Sequence, residues 1–236
     1  MTNKNTVKLV HYRIETPLIL SPLHPQLLIA ENPDFFYRAV TDLKLQSEGQ
    51  EGEFVWQTYD NRPLNARTTD VVTDWFNINA NDKKTVTALH KKLQQEMQDC
   101  QYTSAFNEIN AKLTELLEDL LVQIPFAIGY EEMQPTALFK AMDVKVAENY
   151  DCFTEKLLNY IDILRELCGI KVFVLVNVKS VLDDKGLQSL YDHCANEQIC
   201  LLLLEHCKCR PLLDCEQAVI ITEDLCEILE NHREIC

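Results

Sequence analysis

Gly169-Ile170-Lys171-Val172-Phe173-Val174-Leu175-Val176 and, further on, Ile199-Cys200-Leu201-Leu202-Leu203-Leu204-Glu205 are the two stretches that decide the fold. Each is a short, nearly continuous apolar run, the first rich in β-branched residues. Runs of this kind read as strands buried on both faces, as in a parallel sheet. Between them Asp183-Asp184 opens a helix whose apolar side carries Leu187, Leu190 and Cys194. Strand, helix and strand at this spacing make a βαβ unit. A helix over 151–168 leads in, and Gly169 suits the position just past its end. The turn after the first strand, Val176-Asn177-Val178-Lys179-Ser180-Val181, holds no glycine. A phosphate-binding turn needs glycines so that backbone amides can close around the anion. The sheet therefore reads as a nucleotide-binding scaffold without its phosphate loop.

Working outward, Val7 to Leu20 reads as two short strands, and Leu27-Leu28-Ile29-Ala30 as a third. Asn32-Pro33 predicts a capped helix start, with Phe36, Ala39, Val40 and Leu43 facing a core. Phe54-Val55-Trp56 reads as an edge hairpin in a polar stretch, and Val71-Val72-Thr73-Asp74 as a further strand. From Asn81-Asp82 to Cys168 the pattern is helical. Its stripes are Val86, Leu89, Leu93, Met97, then Phe106, Ile109, Leu113, Leu116, Leu117, Leu120, then Phe153, Leu157, Tyr160, Ile161, Leu164, Leu167. Such faces need each other, or a second subunit, to be hidden. The expected architecture is a discontinuous α/β head with a mostly parallel sheet, residues 1–78 and 169–236, interrupted by a helical leg, 79–168. Ala218-Val219-Ile220-Ile221 reads as a late strand, and Glu223 as the start of a closing helix with Leu225, Ile228 and Leu229 on one side.

Composition narrows the function. Net charge is −15, from 37 acids against 22 bases, which argues against wrapping nucleic acid with the whole surface but allows a segregated basic patch. No apolar run approaches the roughly 20 residues of a membrane span. Met1-Thr2-Asn3-Lys4-Asn5 lacks the apolar centre of a signal peptide, so a cytoplasmic protein without membrane partners is expected. Ten cysteines then read as reduced thiols. His206-Cys207-Lys208-Cys209 with Cys215 admits a zinc reading, although C-x-C is tighter than the usual structural zinc clip. His11, His24, His90, His193, His206 and His232 fall into no metal-ligand spacing, and no nucleophile–base motif is present, so no catalytic residue is assigned. Lys83, Lys84, Lys91 and Lys92 fall on one side of the first leg helix, with Lys140 and Lys145 further on. They read either as a solvated face or as contacts to a phosphate backbone. Glu131-Glu132, after Tyr130, read either as ordinary helix-start acids or as ligands of a hard cation such as calcium.

With these residues laid out, the chain resembles a known family, the small ring-forming accessory protein of the type II-A CRISPR adaptation module. The likeness runs in order from Val7-Lys8-Leu9 and Pro17-Leu18-Ile19-Leu20, through Val72-Thr73-Asp74 and 138–146 (Leu-Phe-Lys-Ala-Met-Asp-Val-Lys-Val). It continues through the helix ending at Leu167, Phe173 to Asn177 and Leu202-Leu203-Leu204-Glu205, to Leu213-Asp214 and Ile220-Ile221-Thr222. The resemblance implies a nucleotide-binding-like head without its phosphate loop and a helical leg. It further implies a non-enzymatic homotetrameric ring on double-stranded DNA ends, shaped by bound calcium. The implied role is spacer acquisition with the integrase complex and the effector nuclease. By position it places Lys140 and Lys145 among the leg's DNA-binding residues, and Glu131 and Glu132 in the calcium region, where Ala127 and Gly129 replace further acids. The alternatives from the residues alone are a phosphate-loop-like enzyme with a divergent nucleotide site and a protein-interaction scaffold built on the leg.

Overall fold

The structure, a computed structural model, describes residues 6–231. The Met1–Asn5 reading, His232 and Cys236 lie outside the described residues. The chain divides into two compact units, one formed by residues up to Ile78 together with those from Tyr150 onward, the other by Asn79–Asn149.

The first unit, the head, is built on a six-stranded sheet. Its strands are β3 (Gln26–Ala30), β5 (Thr69–Val72), β6 (Val172–Val176), β7 (Cys200–Glu205), β8 (Gln217–Ile221) and β9 (Glu227–Asn231). Their order is β5-β6-β7-β3-β8-β9, parallel throughout except for the antiparallel β8–β9 edge. A three-stranded antiparallel sheet, β2-β1-β4, is made by β1 (Val7–Val10), β2 (Leu18–Leu20) and β4 (Val55–Thr58). Successive side chains of a strand point to opposite faces, and both faces are buried here. Phe173, Leu175, Leu201 and Leu203 pack with Leu157, Ile161 and Leu164 of α5 (Phe153–Cys168) and Leu187, Leu190 and Tyr191 of α6 (Asp184–Asn196). Val172, Val174, Leu202 and Leu204 pack on the other side, with Phe35, Ala39 and Leu43 of α1 (Pro33–Ser47) and with Leu9, Leu18 and Trp56 of the small sheet.

The helix ends follow the sequence. Asn32 caps α1 by accepting the Phe35 amide at 2.9 Å. Asp183 caps α6 by accepting the Gly186 amide at 2.8 Å. Gly169 ends α5 at φ 69°, donating to Arg165 O at 3.1 Å while Ile170 donates to Leu164 O at 3.3 Å. This is the left-handed stop for which glycine is suited.

Three expectations are corrected. The leg does not extend to 168: it ends at Asn149, and α5 belongs to the head, because its apolar stripe has the sheet to cover it. On α1 the buried line is Phe35, Ala39, Leu43, with Phe36 and Val40 only partly covered. The closing helix is a strand. Leu225 takes φ 65° in a turn closed by Thr222 N to Cys226 O at 2.9 Å, and β9 pairs with the edge of β8. A free edge of unpaired amides and carbonyls draws a following segment, and so short an apolar run does not distinguish strand from helix.

A buried polar cluster closes the end of β7. Lys179 Nζ donates to Glu216 Oε2 at 2.7 Å, Tyr191 OH to Glu216 Oε1 at 2.6 Å, and the Lys179 amide to Glu205 Oε1 at 3.1 Å. Burial pushes the Glu205 carboxyl up to about 7, against the lowering effect of the Lys179 amide and ammonium. A carboxyl with a raised folded pKa holds its proton longer in the native state. Its contribution therefore favours folding at low pH and is lost as pH rises from 4.5 towards about 7. Glu205→Gln is expected to be neutral near pH 4 and stabilising near pH 8, by roughly 1–3 kcal/mol. Melting temperatures of both proteins across that range check it, and a difference independent of pH would exclude the linkage.

Candidate nucleic-acid interface

The second unit holds α2 (Lys83–Glu96), α3 (Cys100–Leu121) and α4 (Pro135–Ala141). Asp82 caps α2, accepting the Thr85 amide at 2.6 Å. Buried His90 of α2 stacks obliquely on Phe139 of α4 at 5.7 Å and donates from Nε2 to Val144 O at 2.8 Å. After α4, Asp143 adopts φ 50° and Val144 N returns to Phe139 O at 2.9 Å, so the helix stops and the chain turns into an extended strap. An aspartate tolerates that left-handed geometry better than most residues.

The strap is pinned along α2. Asn81, just before the cap, accepts the Val146 amide at 2.8 Å and donates to Val146 O at 3.0 Å. One side-chain amide thereby replaces a partner strand. Lys145 lies between Val144, held to His90, and Val146, held to Asn81. The structure thus brings Lys145 alongside the helix that carries Lys83, Lys84 and Lys91, and α4, which carries Lys140, packs on that helix too.

Lys83, Lys84, Lys91, Lys140 and Lys145 are exposed, while Lys92 is half-buried. At about 100° per residue the four α2 lysines spread over about 180°, so the expected stripe narrows to three with Lys92 turned aside. Among the described residues no ion pair holds Lys83, Lys84, Lys91 or Lys140, whereas Lys145 Nζ meets Asp143 Oδ2 at 2.5 Å. That hydrogen bond and the Asp143 charge raise the Lys145 pKa. Lys83 and Lys84 occupy a first helical turn without acids, where the dipole disfavours cations. They add to the positive end of the helix, while the Asp82 carboxylate at its N-cap already offsets that end in part.

Glu131 and Glu132 lie in the segment that returns along α3. Asn110 repeats the Asn81 device there, accepting the Met133 amide at 3.3 Å and donating to Met133 O at 3.4 Å. Tyr130 OH donates to Glu118 Oε1 at 2.8 Å, which raises the phenol's pKa. Glu131 borders an apolar groove with Leu113, Leu116, Leu120 and Met133, whereas Glu132 borders a polar one with Asn107, Glu115 and Glu118. Neighbouring carboxylates that face different grooves do not supply the six to eight oxygens calcium takes. Among the described residues no group of three His, Cys, Asp or Glu side chains is placed to hold a metal ion. Glu131 and Glu132 therefore provide, among the described residues, only part of a calcium shell. For the zinc reading too, the described residues bring together no group of three ligands from His206, Cys207, Cys209 and Cys215.

The head's phosphate positions are closed electrostatically. In an open parallel sheet, ligands bind at the carboxyl ends of the strands. There β3 runs into Glu31, Asn32 and Asp34, and β6 leads to Asp183 and Asp184 at the start of α6. Carboxylates already occupy the first turns that would attract a phosphate. The β3–α1 turn, Glu31-Asn32-Pro33-Asp34, is likewise free of glycine, a signal present in residue type alone.

The fold and site define an α/β protein with a mostly parallel sheet, glycine-free βα turns and an inserted helical unit bearing exposed lysines. The chain belongs to the Cas_Csn2 family of CRISPR-associated proteins, whose profile matches residues 46–225. Among solved structures it is similar to Stu0660 of Streptococcus thermophilus, with a TM-score of 0.60 and 9% identity over 96% of this chain and 76% of that one. Weaker likenesses are a putative ABC transporter ATP-binding protein from Pyrococcus furiosus (TM-score 0.40, 12% identity, 90% of this chain and 96% of that one) and an SMC head bound to the C-winged helix domain of ScpA (0.42, 8%, 98% of each). These last two are too weak to bear on the fold. No curated protein matches the chain. Among the described residues no helix is long and apolar enough to cross a membrane.

Asn81→Ala removes both bonds to Val146 and is expected to cost about 1–2 kcal/mol, seen as faster amide exchange over 144–148. Asn81→Asp sets a carboxylate oxygen against Val146 O and Glu148 Oε1, which the Asn81 amide nitrogen meets at 3.0 and 3.2 Å, and should loosen the strap at least as much. Unchanged exchange in both variants would mean the strap is held by other contacts.

Proposed function

We propose that the chain is a non-enzymatic protein that binds double-stranded DNA ends as a homotetrameric ring in CRISPR spacer acquisition, in the cytoplasm. The observation that carries this reading is the gathering of Lys83, Lys84, Lys91, Lys140 and Lys145 on one unit of a chain whose net charge is −15. Lysines gathered around α2 and α4 offer DNA one local surface, although the inserted unit as a whole is acidic like the rest of the chain. Lysines acting as point charges on phosphates read no sequence, as acceptance of any spacer requires. Self-assembly is supported by the α3 face, where Ile109, Leu113, Leu116 and Leu120 are exposed and a second copy would cover them. Calcium enters this reading only as an ion shared between copies, with Glu131 and Glu132 supplying part of its shell. The integrase complex and the effector nuclease are the partners in this role.

Lys140→Glu together with Lys145→Glu is expected to lower affinity for linear duplex by at least about tenfold, with the oligomer mass unchanged in light scattering. Covalently closed circles should bind far less than linear duplex if DNA threads through the ring. Equal affinity of the charge-reversed protein, or equal binding of circles and linear DNA, would contradict the reading. Stabilisation by ATP or GTP in a thermal shift would favour a nucleotide enzyme instead.

A further inference from the structure

The loop after β7, His206-Cys207-Lys208-Cys209-Arg210, has no part in the reading above. Its backbone is already folded tightly: Cys209 N donates to Cys207 O at 3.0 Å. Lys208 is not among the positive-φ residues, so this two-residue closure is the inverse γ-turn, the unstrained form. It holds the flanking Cα atoms within the roughly 4.4–6.8 Å that a disulfide spans. The two sulfurs lie 3.0 Å apart, about 1 Å beyond a bond.

The loop is also fixed at several points. The His206 amide donates to Asn177 Oδ1 at 3.0 Å, and its ring Nδ1 to the same oxygen at 2.9 Å. An amide oxygen only accepts, so Nδ1 carries a proton, and in the neutral ring Nε2 is the free base. Nε2 faces Cys207 Sγ at 3.3 Å. Lys208 Nζ bridges both Glu230 oxygens at 2.6 Å, and Arg210 Nη1 meets Asp184 Oδ1 at 2.9 Å. Cys209 is exposed and Cys207 half-buried, which separates an accessible attacking thiol from a sheltered resolving one.

We propose that Cys207 and Cys209 form a thiol–disulfide exchange site, oxidised by a low-molecular-weight disulfide of the glutathione class to a bond within the loop. The Cys209 thiolate attacks one sulfur of the small disulfide, whose S–S bond breaks. One small thiolate leaves and takes up the proton that Cys209 released. Cys207 then attacks Cys209 Sγ in the mixed disulfide, passing its proton to His206 Nε2. The second small thiolate leaves and recovers that proton. Two protein thiols and one small disulfide become one protein disulfide and two small thiols, and two electrons pass from protein to oxidant. The Cys209 thiol beside it, partial burial, and the Glu205 and Glu31 carboxylates push Cys207 up to about 11. These surroundings disfavour the Cys207 thiolate, so the first attack falls to the more exposed Cys209.

The test uses the full chain in glutathione buffers of graded oxidation, with free thiols blocked by iodoacetamide and recovered thiols labelled with maleimide after reduction. Peptide mass spectrometry then reads each cysteine. Cys207 and Cys209 are expected to be lost together, without a glutathione adduct, ahead of exposed Cys100, Cys152 and Cys226. Cys207→Ser should arrest at a glutathione adduct on Cys209. Oxidation no earlier than at Cys100, Cys152 and Cys226, a lasting adduct on the unaltered chain, or a bond to another copy would each overturn the proposal. Resistance to both reagents until a zinc chelator is added would overturn it in favour of a metal site.

Discussion

Everything in the head depends on one constraint: a parallel sheet whose two faces both exclude water. Alternate residues of β6 and β7 feed separate cores, so neither α5 and α6 on one side nor α1 and the small sheet on the other can be dispensed with. Each core covers a sheet face that would otherwise expose a row of large apolar side chains. The same constraint decides which helices belong to the head. The α5 stripe resembles those of the leg helices, yet it is claimed by the sheet because Leu157, Ile161 and Leu164 face Phe173 and Leu203.

Polar groups are distributed around that core with equal economy. The carboxyl ends of β3 and β6 carry acids and capping side chains where nucleotide-binding turns of parallel sheets carry glycines. Behind them Lys179, Glu216 and Tyr191 satisfy one another in the interior, since a buried charge without a partner would cost several kcal/mol. The inserted unit carries exposed Lys83, Lys84, Lys91 and Lys140. There two asparagines, Asn81 and Asn110, hold extended segments to helices through paired side-chain hydrogen bonds. These clamps set the path of the segments that bear Lys145 and Glu132.

Much of this was legible in the residues. The βαβ unit, the caps at Asn32 and Asp183 and the stop at Gly169 follow from local chemistry, and each stands where the pattern put it. The lysines of the leg were legible as residue types and the helical period already spreads them over about 180°, but packing decided that the Lys92 end of that arc is the half-buried one. The asparagine clamps were not legible, because one asparagine before a helix reads the same whether its amide meets solvent or a strap 65 residues away. Nor was β9, whose short run fits either period until the open edge of β8 selects pairing.

The sequence alone determined the class of the fold and the absence of a glycine-rich phosphate turn, because each rests on residue type and short-range spacing. Tertiary structure decided the boundary of the inserted unit and the side of α1 that is buried. It also brought Lys145 beside α2, set Glu131 and Glu132 towards different grooves and placed Cys207 against Cys209. Those outcomes depend on which surfaces meet, and the meeting is fixed by covering the sheet and satisfying buried polar groups, conditions that act across the whole chain.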